Sequence, residues 1–402
     1  MILNSFKDKK KRKILFKYFI IIYLFIYLYI LKLLHNNSDK KINKLNNGMY
    51  NSAKKAIDFL NKSSNGILIN KIPLIFNNNP KMSIVVPAFN VQNRIKQTIR
   101  SIQNQNVMDL DIIIVNDYSS DNTSYIIQEL KNEDKRIKII NNKRNMGSLY
   151  TRCIGSLSAK AKYIFPLDGD DMILDKDVIN NIYDLMEFYN VDITVFKAIM
   201  VYDINDIFTL NNLNAIRGFI NSNVTYRQPE LSNIASIVLW GQCIKTNLYK
   251  KSIYLYGKNK YSIYMNYYED AIINHIIYQI SESCKLIPDY VILYIVRAGS
   301  VSHLTREINI NYSIMKYIET MLDFSRNNDI IKESVSSKII YFLKNNKFYK
   351  YMNNTKFNYT FNLLLRKIFS SKYLSNKNKL NIKQNISKVL LNNYSNYLNS
   401  YK

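Results

Sequence analysis

Cysteine is scarce in this chain: Cys153, Cys243 and Cys284 are the only three in 402 residues. Their spacing fits neither a metal-ligand set nor a disulfide framework, so the fold is not stapled covalently. There is a single tryptophan, Trp240. Acidic side chains are also few, with 30 Asp and Glu against 56 Lys and Arg, a net charge of +26. That excess alone would fit a nucleic-acid or membrane-surface partner. Its distribution argues otherwise. Residues 1–50 hold 11 basic and 2 acidic side chains, residues 325–402 hold 15 and 2, but residues 51–324 hold 30 and 26. The near-balanced middle carries no nucleic-acid-binding motif, so nucleic acid is not expected as a partner. An apolar fraction of 47% permits a sizeable core. The length suits one large domain with appendages or two ordinary domains.

Long apolar runs are limited to one. Lys7 to Lys13 carries six positive residues, and Ile14 to Leu34 follows, broken only by Lys17 and Lys32. Its 21 residues, at about 1.5 Å each, reach across a hydrocarbon core of about 30 Å. The run is too long for a signal peptide and lacks a small-residue cleavage site. The positive residues before it outnumber Lys40, Lys41 and Lys44 after it, so the N-terminus is expected to stay cytoplasmic. The expectation is a single-pass type II signal anchor: a basic tail at 1–13, a transmembrane segment at 14–34 and a stem at 35–80. The domain that follows would face the Golgi or ER lumen.

From Lys81 strands and helices alternate. Strands are expected at Met82 to Val86, Leu110 to Val115, Arg136 to Ile140, Tyr163 to Leu167 and Asp192 to Phe196. Helices are expected at Arg94 to Gln105, Thr123 to Leu130, Gly147 to Ala159 and Asp177 to Tyr189. This alternation predicts an α/β fold with a mostly parallel sheet covered by helices on both faces. After residue 200 the pattern loosens. A helix from Glu269 to Ile280, a closing strand from Val291 to Val296 and a basic helical region at 309–402 complete the chain.

The chemistry concentrates where strands end. Tyr163 to Leu167 breaks into Asp168-Gly169-Asp170-Asp171, three carboxylates that repel one another unless a cation sits among them. Such a set suits a hard divalent ion that also holds phosphate oxygens. An exposed acidic turn capping the next helix is the bland alternative. Ligands of parallel sheets bind outside the carboxyl ends of the strands. Asn90, Asp117, Asp121, Asp168 and Asp170 all lie at or just past those ends, although Asp117 and Asp121 also have good turn and cap chemistry. Glu269 and Asp270 open a helix, where the dipole favours acids; one of them is alternatively a general base. Arg297-Ala-Gly-Ser-Val-Ser-His303 offers a cation and small donors suited to a diphosphate, with His303 a candidate metal ligand.

In order and spacing these residues resemble the family 2 glycosyltransferases with the nucleotide-sugar-binding GT-A fold, over about residues 81–303. Val85-Val-Pro-Ala-Phe-Asn90 resembles the family's opening strand and turn. Val115-Asn-Asp-Tyr-Ser-Ser-Asp121 is similar to its nucleotide-binding Asp-Gly-Ser element, with Tyr118 where Gly is usual. Asn145-Met-Gly-Ser-Leu-Tyr-Thr-Arg152 resembles its helix entry, with Cys153 in place of the final Asn. Leu167-Asp-Gly-Asp-Asp171 resembles its metal-binding DxD region. Tyr268-Glu-Asp270 resembles its acidic pair and Gly299-Ser-Val-Ser302 its closing loop.

The resemblance implies a catalytic domain at 81–308 and roles for its residues. Pro87, Phe89 and Asp117 would hold the nucleotide base, and Asn90, Asp121, Arg152, Arg297 and Ser300 would contact the donor. Asp168 would sit near the ribose, and Asp170, with Asp168 and His303 as further candidates, would bind Mn²⁺ or Mg²⁺. Asp270, with Glu269 as second choice, would be the base. The implied activity is inverting, metal-dependent transfer from a nucleotide sugar, a UDP-sugar above all, to a glycan, protein or lipid hydroxyl. The Gln-x-x-Arg-Trp motif of processive synthases is absent, which points to non-processive transfer. An inactive GT-A-fold scaffold at a membrane is the alternative.

Overall fold

The computed structural model of the chain describes residues 79–204, 207–216, 224–227, 239–265, 267–297, 307–325 and 355–371. It also describes 337, 339–341 and short pieces between 374 and 387. The expected span at 14–34 and nearly all of the expected stem lie outside these residues. Among the described residues no helix is long and apolar enough to cross a membrane.

Strand β1 (Met82–Ala88) is buried along its length except at Pro87, as expected of a strand covered on both faces. Helix α1 (Ile95–Gln103), β2 (Leu110–Asn116), α2 (Thr123–Glu133), β3 (Ile137–Asn141), α3 (Ser148–Ser158) and β4 (Tyr163–Pro166) follow in the expected alternation. Next come β5 (Met172–Ile173), α4 (Val178–Tyr189), β6 (Ile193–Ile204), β7 (Ile207–Ile216), β8 (Val224–Arg227), β9 (Gln242–Lys245), α5 (Thr246–Tyr256) and α6 (Lys258–Tyr261). Then α7 (Glu269–Ile280), β10 (Ser283–Arg297), α8 (Glu307–Phe324) and α9 (Thr355–Ser370) complete the described chain. Helix α8 begins before the boundary expected at 308/309 and packs Ile318 and Met321 into the same core as α7.

The strands form one mixed sheet in the order β3-β2-β1-β4-β9-β6-β10-β5, with β7 on β6 and β8 on β10. Neighbours β3, β2, β1 and β4 are parallel, β9 opposes both β4 and β6, and β6 is parallel to β10. Six strands therefore share one direction, with β9 reversed among them. The reversal falls in the stretch after residue 200 where hydrophobic periodicity fades. Two further departures have local causes. The acidic turn leads first into β5, an unexpected strand that pairs with Leu293 and Ile292 of β10, before α4 starts at Val178, one residue past the expected Asp177. Strand β10 extends far upstream of Val291. Its pairing with β6 shifts between Leu286 and Tyr290 because Pro288 has no N–H to give the ladder.

Alternate residues of β1 enter different cores, as the pleat requires. Val85 joins the core under α3, α5, α7 and α8, whereas Ile84 and Val86 join the one under α1, α2 and α4. Register brings the functional ends together. Ala88 of β1 pairs with Asn116 of β2, and Asn116 with Asn141 of β3, so Phe89, Asp117 and Asn142 leave the sheet from one row.

Helix α3 lies close on that sheet because of Gly155. A Cβ there would stand 2.5 Å from Val85 Cγ1 and 2.9 Å from Val115 Cγ2. Gly155→Ala is expected to destabilise the protein by about 1–3 kcal/mol through overpacking. Urea unfolding should show a lower midpoint with an unchanged m-value; an unchanged midpoint would mean that α3 is not held this tightly.

Candidate active site

The site is built on three loops and two helices, α3 and α7. Asp117, just past β2, is 3% exposed, and its carboxylate is turned into the protein. Oδ1 accepts hydrogen bonds from Asn142 Nδ2 (2.7 Å) and the Met146 N–H (2.8 Å), and Oδ2 from the Gly147 N–H (2.8 Å). Those amides lead into the first turn of α3, so a carboxylate from a neighbouring strand end caps this helix. Asp121 accepts from the Gln92 N–H (3.1 Å) and from the Thr123 N–H (3.0 Å), an Asx-type turn that starts α2. Asn90 Oδ1 accepts from the Ser120 N–H (2.9 Å), tying the β1 and β2 loops together. Pro87 and Phe89 are half-buried beside them.

The acidic turn is pinned on every side. The Leu167 N–H donates to Val85 O (3.0 Å), Thr98 Oγ1 donates to Gly169 O (3.0 Å), and the Ile295 N–H donates to Asp171 Oδ1 (3.0 Å). Gly169 passes so near β1 that a Cβ would lie 2.7 Å from Pro87 O. Asp171 is fully buried. Burial, then the neighbouring Asp170 and Asp168, push its carboxyl well above the usual carboxylate range.

Arg152, one turn into α3 and 8% exposed, reaches from that helix to both acidic segments. Its Nη1 lies 2.7 Å from Asp168 Oδ1 and its Nε 3.0 Å from Asp270 Oδ1. These are ion pairs by distance, without the angles of good hydrogen bonds. Burial works against the guanidinium charge, but Asp168, then Asp270 and Glu269, more than reverse it and hold the arginine charged. Asp270 Oδ2 also accepts from the Leu239 N–H (3.3 Å). Glu269 is pushed up to about 7, first by burial and then by Asp270, against the opposing pull of Arg152.

Strain collects at the same mouth. Four described non-glycine residues have positive φ, and three of them, Asn90 (52°), Tyr118 (62°) and Tyr268 (55°), flank the acids. Each left-handed residue costs about 1–3 kcal/mol, which surrounding contacts must offset. Tyr118 stands where the resembled family usually has Gly, and its φ is one that Gly adopts without strain.

The structure thus brings together Asp168, Arg152, Asp270 and Glu269, with Asp170 next to Asp168 in the same turn. Asp117 acts on them through α3. Arg297 ends β10, its backbone beside Asp203, while Ser300 and His303 lie outside the described residues. Among the described residues no three or more His, Cys, Asp or Glu form a metal site by themselves. The all-carboxylate turn fits a hard cation that takes further oxygen ligands from phosphate. Sequence reasoning did not single out Asn142, which the rule of strand ends would have found. The Leu239 and Ile295 amides left no side-chain signal.

Residues 83–254 match the family described as Glycosyl transferase family 2. The glycosyltransferase GlyA of Streptococcus pneumoniae is 27% identical over 233 residues, 56% of this chain and 32% of that protein. A Campylobacter jejuni enzyme named GalNAc(5)-diNAcBac-PP-undecaprenol beta-1,3-glucosyltransferase is 40% identical over 96 residues, 24% of this chain and 31% of its own length. The chain thus spans about a third of these relatives. The crystal structure of S. aureus TarS 1-349 in complex with UDP-GlcNAc is similar with a TM-score of 0.58 at 13% identity, covering 77% of this chain and 89% of that one. The fold is mixed α/β and GT-A-like. The matched family and the glycosyltransferase relatives support a family 2 glycosyltransferase.

Glu269 also makes stability depend on pH. Between its ordinary value of about 4.5 and about 7 the folded chain keeps a proton that the unfolded chain has released. Stability should therefore fall as pH rises through that window. Thermal melts of Glu269→Gln should lose this slope; an identical slope would assign the proton elsewhere.

Proposed function

We propose that this chain transfers a sugar from a nucleotide-sugar donor to an acceptor hydroxyl, with inversion, dependence on a divalent metal and release after one or a few sugars. The single observation that carries the reading is Arg152, whose ion pairs of 2.7 and 3.0 Å hold the acidic turn and the acid pair one guanidinium apart. UDP-GlcNAc and UDP in TarS structures support a UDP-sugar as donor.

Asp170, with Asp168 beside it, would hold Mn²⁺ or Mg²⁺ together with the two donor phosphates; His303 is a further candidate ligand. Such an ion neutralises charge that develops on a departing nucleoside diphosphate. The nucleotide base would rest between Pro87 and Phe89, beside the loops fixed by Asn90, Asp117 and Asp121. Arg297 and Ser300 would reach the diphosphate. Asp270 is the base: as the acceptor oxygen bonds to the anomeric carbon, the bond from that carbon to the diphosphate breaks and the hydroxyl proton passes to Asp270. Arg152, ion-paired with Asp270 at 3.0 Å, would hold that carboxylate toward the donor. Glu269 is second choice as base, its raised pKa being suited to proton exchange near neutrality. The apolar run at 14–34 would anchor the domain as a type II protein in a Golgi or ER membrane. Protease protection in sealed vesicles tests that topology, because a digested domain would put the acceptor on the cytosolic side.

Incubation with a panel of nucleotide sugars, with Mn²⁺ or with EDTA, should show donor consumption by mass spectrometry only when metal is present. Asp170→Asn should lose metal-dependent donor binding. Asp270→Asn should keep donor binding and lose turnover by about 10²–10⁴-fold. Unchanged turnover would move the base elsewhere, and no consumption of any donor would favour the inactive scaffold.

A further inference from the structure

Arg152 is one bridge between the acidic turn and the acid pair; a second bridge contains no ion pair. The Leu239 N–H donates to Asp270 Oδ2 (3.3 Å). The next residue, Trp240, is 6% exposed and stacks on Tyr294, with centroids 5.4 Å apart and planes 28° from parallel. The residue after Tyr294 is Ile295, whose N–H donates to Asp171 Oδ1 (3.0 Å). The Asp171 N–H in turn donates to Asp168 O (3.0 Å), and Asp168 returns through Arg152 to Asp270. The circuit closes on itself.

Two further observations tie it to the site. Leu293, on the other side of Tyr294, pairs with Met172 directly after the acidic turn, so this part of β10 cannot shift without moving the turn. Tyr294 is only half-buried, and its phenol is raised first by burial and then by the charges of Asp171, Asp168, Asp170 and Asp270, so it feels the field of both acidic segments.

We propose that Trp240 and Tyr294 are positioning residues whose stack sets the distance between the acid pair and the acidic turn, and with it where an acceptor hydroxyl meets the anomeric carbon. The inference rests on the glycosyl-transfer reading of the same site. Arg152 alone resists separation of the two acidic segments through flexible ionic contacts. A flat aromatic stack between two backbone-anchored residues adds a stiff spacer, and small displacements of reacting groups lower rate far more than binding.

The test uses the full chain. Trp240→Leu and Tyr294→Leu should lower kcat on the order of 10²-fold while donor KM and UDP–Mn²⁺ affinity change by less than about threefold. Trp240→Phe and Tyr294→Phe, which keep a stack, should recover most of kcat. Native kcat in the leucine variants, or a parallel loss of donor affinity, would overturn the proposal. Because Trp240 is the only tryptophan, its fluorescence reads the circuit without any turnover. Opening the ionic side with Arg152→Met should shift Trp240 emission, and an unmoved emission would overturn the circuit. If the native chain consumes no nucleotide sugar but the emission shifts, the circuit stands and the transfer reading is what fails.

Discussion

A guanidinium enclosed by carboxylates from two separate segments is the interaction on which the rest of this structure depends. Asp168 ends a strand near the middle of the sheet, and Asp270 opens a helix a hundred residues later. Left facing one another, those acids would repel; with Arg152 between them they converge. A buried cation is itself costly and persists only when paired. Each partner therefore makes the other tolerable, and removal of Arg152 leaves two carboxylates facing each other uncompensated.

Much of the surrounding architecture serves to deliver Arg152 to that point. Asp117 caps α3 from the end of β2, fixing where the helix starts, and Gly155 lets the helix lie against Val85 and Val115. The acidic turn is fixed from below by β1, from α1 through Thr98 and from β10 through Ile295. Backbone strain at Asn90, Tyr118 and Tyr268 is confined to the rim of this assembly. Such a distribution is expected where geometry at a site is held against local preference.

The first half of the sheet was readable because each strand from Met82 to Asn141 is an apolar run that ends in a polar turn and is followed by a 3.6-periodic helix. The same rule led to Asn90, Asp117, Asp168 and Asp170, since in-register parallel strands expose their ends together. It could not say that Asp117 would spend its oxygens on the Met146 and Gly147 amides, because backbone donors carry no side-chain signature. Nor could it foresee β9, four residues long and reversed, whose strand conformation is set by the neighbours β4 and β6 rather than by its own pattern. Trp240 and Tyr294 were invisible as partners for a similar reason: only the sheet brings residues so far apart in sequence into one stack.

The most direct measurement of the central claim is a double-mutant cycle on stability, using Arg152→Met, Asp270→Asn and the pair together, followed by urea unfolding. Two groups in direct contact should show a coupling of about 1–3 kcal/mol, the double variant being less destabilised than the sum of the singles. Additivity within about 0.5 kcal/mol would mean that the two side chains do not meet, and would contradict the account.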